Sequence, residues 1–313
     1  MNKQSKYIQV FDNKIINYPT VKAQLSNESV VLVYDQLLAK KMQIHGAVFV
    51  DESALSNAIY RYPRDKRICL LQESPIRGMK KYAEQLINNF DLILTFDTEL
   101  LDIGSQFKSF YYGTSWINYG RPQQQVHFKK SNMCSFIGSI DHNDNHGYSF
   151  RKQVAKWALE SDGVEAWGKG LNKFDTKDSV ITPCYFSIAM ENTQQDYYFT
   201  EKLIDCFVTD TIPIYWGAPG IGEIFDPRGM LFFSSIEELL EVKQTLSVSL
   251  YEKMYPYLQI NRQRAFDLAL TGHQTLCTRL ANQFLAFNTL EKSIKPIFRS
   301  KFVAGVRKVI EGK

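Results

Sequence analysis

The stretch best equipped for chemistry spans residues 185–226, YFSIAMENTQQDYYFTEKLIDCFVTDTIPIYWGAPGIGEIFD. It reads as strand, polar loop, helix, strand and then a Gly/Pro loop. Where a loop after a buried strand opens a helix, the first N–H groups lack intrahelical partners and carry a partial positive charge, so such junctions hold phosphates. Thr200 stands where the helix cap belongs, and Lys202 falls in the first turn. A cation there opposes the helix dipole unless an anion sits beside it, so the sequence asks for an anionic partner. Before the loop, Glu191-Asn192 ends the strand. That pair reads either as polar groups aimed at a ligand crevice or as a turn-forming Asn beside a solvated Glu. A further carboxylate, Glu73, follows the apolar run RICLL at 67–71, where strand-end acids are commonly solvated.

Other chemistries fit less well. Gly217, Gly220 and Gly222 do not have GxGxxG spacing, and neither a GxSxG elbow nor a Gly-Lys-Ser/Thr loop occurs. His45, His127, His142, His146 and His273 are scattered, and the last close pair, His142 and His146, lies in a stretch that reads as loop. Asp141 and Asp144 are wrongly spaced for an Asp-x-Asp metal motif. Charge on an anionic ligand therefore falls to Arg, Lys and a helix start, with no metal. The five cysteines are odd in number, widely spaced and form no CxxC pair, which reads as free thiols in a reducing compartment rather than a disulfide or zinc framework.

The elements that must position these residues are short β-branched runs alternating with helices. Runs at 30–34, 47–50, 67–71 and 92–96 suit parallel strands buried on both faces, and 79–89 has helical spacing. Residues 105–130 read as an irregular passage between domains. A second series follows, with strands at 133–138, 164–168, 185–190 and 211–216 and helices at 150–159, 200–208 and 235–246. The expectation is two α/β halves with a cleft between them.

Composition agrees with a globular chain: 313 residues, 44% hydrophobic and 22% charged. A net charge of +4 is too small to imply nucleic acid and compatible with a small anionic ligand. Residues 1–20 lack the apolar block of a signal peptide, and no run approaches the roughly 20 apolar residues of a membrane span. A cytoplasmic location is expected. The tail at 291–313 interleaves Lys and Arg with apolar residues, and reads either as a helix packed back on the body or as a peripheral contact with an anionic membrane.

Together, Glu191-Asn192, Tyr198-Phe199-Thr200-Glu201-Lys202 and Ile212-Pro213-Ile214-Tyr215-Trp216-Gly217 resemble the donor-binding signature of glycosyltransferase family 10, the α-1,3/1,4-fucosyltransferases, and the soluble bacterial members most. Phe136-Ile137-Gly138-Ser139 followed by Arg151 is similar to the family's strand and phosphate-contacting arginine; Glu73-Ser74-Pro75 is similar to its acceptor-side motif. The resemblance implies a GT-B arrangement, two Rossmann-like domains facing across a cleft. Residues 1–128 would bind the acceptor, 129–290 the GDP-sugar, and 291–313 would form the basic tail. Carried over, Arg151 and Lys202 neutralise the diphosphate of GDP-fucose, Tyr198 and Glu201 contact donor hydroxyls or phosphate, and Asn192 faces the sugar. Glu73 is the general base. The implied reaction is an inverting, metal-independent transfer of L-fucose from GDP-β-L-fucose to a hydroxyl of a GlcNAc/Gal-containing glycan, through an α-1,3 or α-1,4 linkage. A same-fold enzyme using another nucleotide sugar and a non-catalytic nucleotide-sugar or glycan-binding module are the rival readings. The segment between Glu73 and Ser131 resembles the family weakly, which leaves the acceptor open.

Overall fold

Short runs of Val, Ile and Leu pair side by side because each is apolar on both faces and must be covered on both. The computed structural model describes residues 5–12, 18–74, 78–117, 128–140 and 147–287. Its first half contains β1 (Lys6–Phe11), β2 (Thr20–Lys22), β3 (Val30–Val33), α1 (Gln36–Ala39), β4 (Ile44–Val50), β5 (Arg67–Leu70), α2 (Ala83–Asn89), β6 (Ile93–Thr95), α3 (Thr98–Leu101) and β7 (Phe107–Ser109). The second contains β8 (Asn132–Ser139), α4 (Gly147–Glu160), β9 (Val164–Lys169), α5 (Lys177–Ile181), β10 (Cys184–Met190), α6 (Glu201–Val208), β11 (Ile212–Trp216), β12 (Leu231–Phe232), α7 (Ile236–Thr245), α8 (Val248–Asp267) and α9 (His273–Phe287).

Among the described residues the strands form two sheets. The first has the order β2-β3-β1-β4-β5-β6-β7, with β2 antiparallel to β3 and the other pairs parallel. The second, β12-β11-β10-β8-β9, is parallel throughout. Strand order reverses between β1 and β4 in the first sheet and between β10 and β8 in the second. At such switch points the connections leave in opposite directions and open a crevice beyond the carboxyl ends of the strands.

Several elements depart from the sequence reading. Strand β1 was hidden by its Lys and Gln, yet it runs through the sheet interior, where the Gln9 carboxamide is satisfied by Tyr62 and Gln36. The helix at 79–89 opens as a 3-10 turn, Met79–Tyr82, before becoming α2. Helix α9 follows the second sheet in sequence but packs on the first. Its Leu276, Leu280 and Phe284 join Ile8, Leu32, Val48 and Leu70 in one core, and a Cβ at Gly46 would overlap the Phe284 ring. Burying each such side chain is worth about 1.5–3 kcal/mol, so the first sheet depends on the far end of the chain for one of its faces.

The chain therefore passes between the halves twice, at 110–117 and near 268–272. The crossings are bonded to each other: Ser115 N–H donates to the Leu270 carbonyl (2.8 Å), Thr114 Oγ1 donates to the Gly272 carbonyl (2.9 Å). No helix among the described residues is long and apolar enough to cross a membrane. The loop with Asp141 and Asp144, Pro75 and the tail at 291–313 lie outside the described residues.

Candidate functional site

Strand β10 is buried along nearly its whole length and delivers Glu191 and Asn192 to the switch-point end of the second sheet. Glu191 has no exposed surface. A buried carboxylate requires partners, and the start of α6 supplies them. The Thr200 N–H donates to Oε1 (2.8 Å), the Thr200 hydroxyl donates to Oε2 (2.7 Å), and Lys202 Nζ lies 3.4 Å from Oε2. Thr200 also caps α6, as its position in the sequence implies. Lys202 Nζ further donates to Thr200 Oγ1 (2.8 Å) and stands 3.3 Å from Glu201. The anion that a lysine in the first turn calls for is thus present within the chain, as the pair Glu191 and Glu201.

Glu201 sits between two ammonium groups, Lys202 at 3.3 Å and Lys177 at 3.8 Å. Burial pushes its carboxyl upward, but Lys202 and Lys177 outweigh it and hold the group at about 2. Lys177, from α5, also pairs with Asp205 at 2.6 Å. Asp205 has no exposed surface and accepts hydrogen bonds from the Ser115 hydroxyl (2.6 Å) and the Trp116 N–H (2.9 Å) of the first crossing. Helix α6 is therefore anchored at its first turn to β10 and one turn later to the passage between the halves.

Helix α4 contributes Tyr148 and Arg151, three residues apart and hence on one face. The guanidinium lies 5.3 Å from the Tyr148 ring centroid and donates from Nη2 to the Met190 carbonyl (2.9 Å). Burial pulls Arg151 below the ordinary arginine range, opposed by Glu191, Tyr148, Tyr198 and Glu201. Asn192 Nδ2 donates to Tyr148 Oη (3.1 Å) and, across the cleft, to Ser74 Oγ (3.4 Å). Two buried polar atoms here, Arg151 Nε and Asn192 Oδ1, have no hydrogen-bond partner among the described residues. Buried polar atoms are seldom left so, and a polar ligand would satisfy them.

Tyr198 is buried and reaches toward the first half, its ring 5.0 Å from Phe96 just beyond β6. Burial raises its phenol strongly, with Glu191 and Glu73 adding to the effect through their charge. Glu73 follows β5 and is half-buried; its backbone N–H donates to Asp51 Oδ1 (3.1 Å). The carboxyl ends of both sheets therefore face one another, with Glu73 and Ser74 on one side and Arg151, Asn192, Tyr198, Glu201 and Lys202 on the other.

Sequence reasoning passed over Lys177, Asp205, Tyr148 and Asp51, and took in Ser74 only as part of the Glu73-Ser74-Pro75 motif, with no role of its own. Only Tyr148 carried a local signal, its helical spacing from Arg151; the others are brought in by tertiary packing. Among the described residues no three His, Cys, Asp or Glu side chains converge in a way that could hold a metal ion. All five cysteines are buried and unpaired with one another.

Residues 126–246 match the family model described as glycosyltransferase family 10 (fucosyltransferase) C-term. Over these residues the chain is similar to glycosyltransferase family 10. The family 10 stretch contains Arg151, Asn192, Tyr198, Glu201 and Lys202; Glu73 lies outside it. The α-(1,3)-fucosyltransferase FucT of Helicobacter pylori is 40% identical over 55 residues, which is 18% of this chain and 12% of that protein. The match thus spans only a small part of the relative's length. Among solved structures, TarM of S. aureus aligns with a TM-score of 0.52 at 10% identity, covering 79% of this chain and 57% of that one. Alr3699/HepE of Anabaena, in complex with UDP-glucose, aligns with a TM-score of 0.51 at 12% identity, covering 80% of each chain. An α1,3-fucosyltransferase with GDP-fucose aligns at 0.48 and 15% identity over 95% of this chain and 94% of that one. The family 10 stretch and the sheet before it form the GT-B arrangement of two Rossmann-like sheets facing across a cleft.

Proposed function

We propose that the chain is an inverting, metal-independent fucosyltransferase that moves L-fucose from GDP-β-L-fucose to a hydroxyl of a GlcNAc/Gal-containing glycan, in α-1,3 or α-1,4 linkage. One observation carries the reading. Asn192, inside the family 10 stretch, bonds both to Tyr148 beside Arg151 and to Ser74, the neighbour of Glu73, so the two halves meet where donor and acceptor would. The first half would hold the acceptor and the second the donor. The resemblance of the FucT of Helicobacter pylori supports the sugar assignment.

In this reading the Glu73 carboxylate takes the proton of the acceptor hydroxyl, whose oxygen attacks the anomeric carbon from the face opposite the diphosphate. The bond from that carbon to the phosphate oxygen breaks, its electron pair leaves with GDP, and the β-linked donor becomes an α-fucoside. Arg151, Lys202 and the N–H groups at the start of α6 stabilise the charge that grows on the leaving diphosphate. Tyr198 and Glu201 contact donor hydroxyls or phosphate, and Asn192 faces the sugar. With these cations in place the leaving group is stabilised without a metal. We further propose a cytoplasmic location, with the basic tail at 291–313 contacting an anionic membrane surface.

A transfer assay with GDP-fucose across an array of small glycan acceptors tests this, run on wild type and E73Q. Wild type transfers and E73Q loses turnover by on the order of 100-fold or more. Undiminished turnover in E73Q removes Glu73 from the mechanism. Thermal stabilisation by UDP-sugars but not by GDP-fucose overturns the donor, and no transfer to any acceptor favours a binding module.

A further inference from the structure

The loop that carries Glu73 is held by a side chain from a different strand. Strands β4 and β5 are parallel neighbours, with Val50 opposite Leu70 at their carboxyl ends. Beyond that point β5 remains bonded to β6 through Leu71 N–H and the Leu94 carbonyl, and then leaves the sheet. Among the described residues no strand pairs with the next two positions, Gln72 and Glu73. Both N–H groups donate to a single atom, Asp51 Oδ1, at 2.9 and 3.1 Å.

Asp51 is the first residue after β4, at the switch-point end of the sheet, and is 3% exposed. Its φ is 47°, in the left-handed region that side chains other than Asn and Asp rarely adopt. Strained backbone persists where the surroundings over-determine it, and it concentrates at functional sites. Here the strain has a visible result. From this left-handed position the carboxylate accepts the N–H groups of Gln72 and Glu73, and so holds the peptide of Glu73 itself.

We propose that Asp51 is a positioning residue for transfer: by accepting the N–H groups of Gln72 and Glu73 it sets the backbone from which the Glu73 carboxylate reaches the acceptor hydroxyl. The inference rests on Glu73 being the general base, as argued above. In this role Asp51 acts through the backbone of Glu73. Its removal acts on the rate of proton removal and leaves the donor grip, built from the other sheet, unchanged. A displacement of about 1 Å at a reacting group can lower turnover by on the order of 100-fold.

Three substitutions separate the hydrogen bonds from the backbone geometry. D51N keeps an oxygen acceptor and tolerates the left-handed conformation; D51G keeps the conformation and removes the acceptor; D51A removes the acceptor and adds strain. Turnover and donor KM are measured for each beside wild type and E73Q, with folding checked by thermal stabilisation on adding GDP. The expected result is kcat within about threefold of wild type for D51N and a loss on the order of 10- to 100-fold for D51G and D51A, donor KM unchanged throughout. D51G turning over within threefold of wild type, or a loss expressed in donor KM instead of kcat, overturns the positioning role. Full turnover in E73Q overturns the base assignment beneath it, so the two failures are distinguishable.

Discussion

Replacing Glu191 by Gln tests the anchoring of α6 at the price of a single charge. The amide retains an oxygen for the Thr200 N–H, and its nitrogen can donate to the Thr200 hydroxyl oxygen, so both short contacts have replacements. What is lost is the negative charge 3.4 Å from Lys202 Nζ. Removing one partner of a buried ion pair costs about 3–5 kcal/mol. Lys202 keeps Glu201 at 3.3 Å and Thr200 Oγ1 at 2.8 Å, and its side chain is 24% exposed, so part of its charge remains compensated. The expected loss is therefore about 1–3 kcal/mol, a fall in Tm of roughly 1.5–5 °C for a chain of this size. E191A should fall further, because it also strands the buried Thr200 N–H at a cost of about 1–3 kcal/mol. Thermal unfolding followed by circular dichroism at pH 7 and low salt, with urea midpoints alongside, reads both. E191Q and E191A melting within a degree of wild type would refute the anchoring argument. In the donor reading, GDP should raise the Tm of E191Q more than that of wild type, since its diphosphate returns an anion to Lys202.

Two other expectations concern the frame around the site. Gly168, at the end of β9, has a φ of +133°, and an added Cβ would lie 1.7 Å from the Gly138 carbonyl oxygen of β8. G168A should cost about 3 kcal/mol or more in urea denaturation, and a loss under about 1 kcal/mol would contradict the interlocking of these strands. Glu201, held at about 2 against an ordinary 4.5, is a depressed carboxyl. Its contribution, on the order of 3 kcal/mol, is complete above pH 4.5 and disappears as pH falls through about 2. The stability gap between wild type and E201Q should shrink across that window; a gap that stays constant would show that Lys202 and Lys177 do not hold the charge.

Much of this molecule could be read before its structure. The runs in β3 to β6, β8, β10 and β11 are apolar on both faces, and that pattern fixes a parallel sheet. Thr200 was legible as a cap because capping is local. Strand β1 was not, since one Gln and one Lys disguise a strand whose polar atoms are satisfied from Tyr62 and Gln36. Helix α8 runs 20 residues through Pro256 and has only a weak apolar stripe, so neither its length nor its continuity stands out. Lys202 shows the limit most clearly. The sequence demanded an anion next to it, and the dipole argument was sound, but Glu191 lies eleven positions back across a loop whose course no local rule gives. Lys177 and Asp205 meet for the same reason, since the whole of β10 and a loop lie between α5 and α6 in the chain.

The paired crossings near Ser115 and Leu270 bear on how the cleft can move. Two bodies joined by one strand of chain can swivel about any direction, whereas two adjacent, mutually bonded strands leave bending about a single line as the easy motion. Helix α9 makes the second strand mechanically rigid, because it is sewn into the first sheet by Phe284 and Leu280 instead of ending free. Opening should therefore resemble a book turning on its spine, with the facing pages carrying Glu73 and Arg151. Separation of those residues would grow with their distance from Ser115, while Asp205, sitting on the spine itself, would scarcely shift.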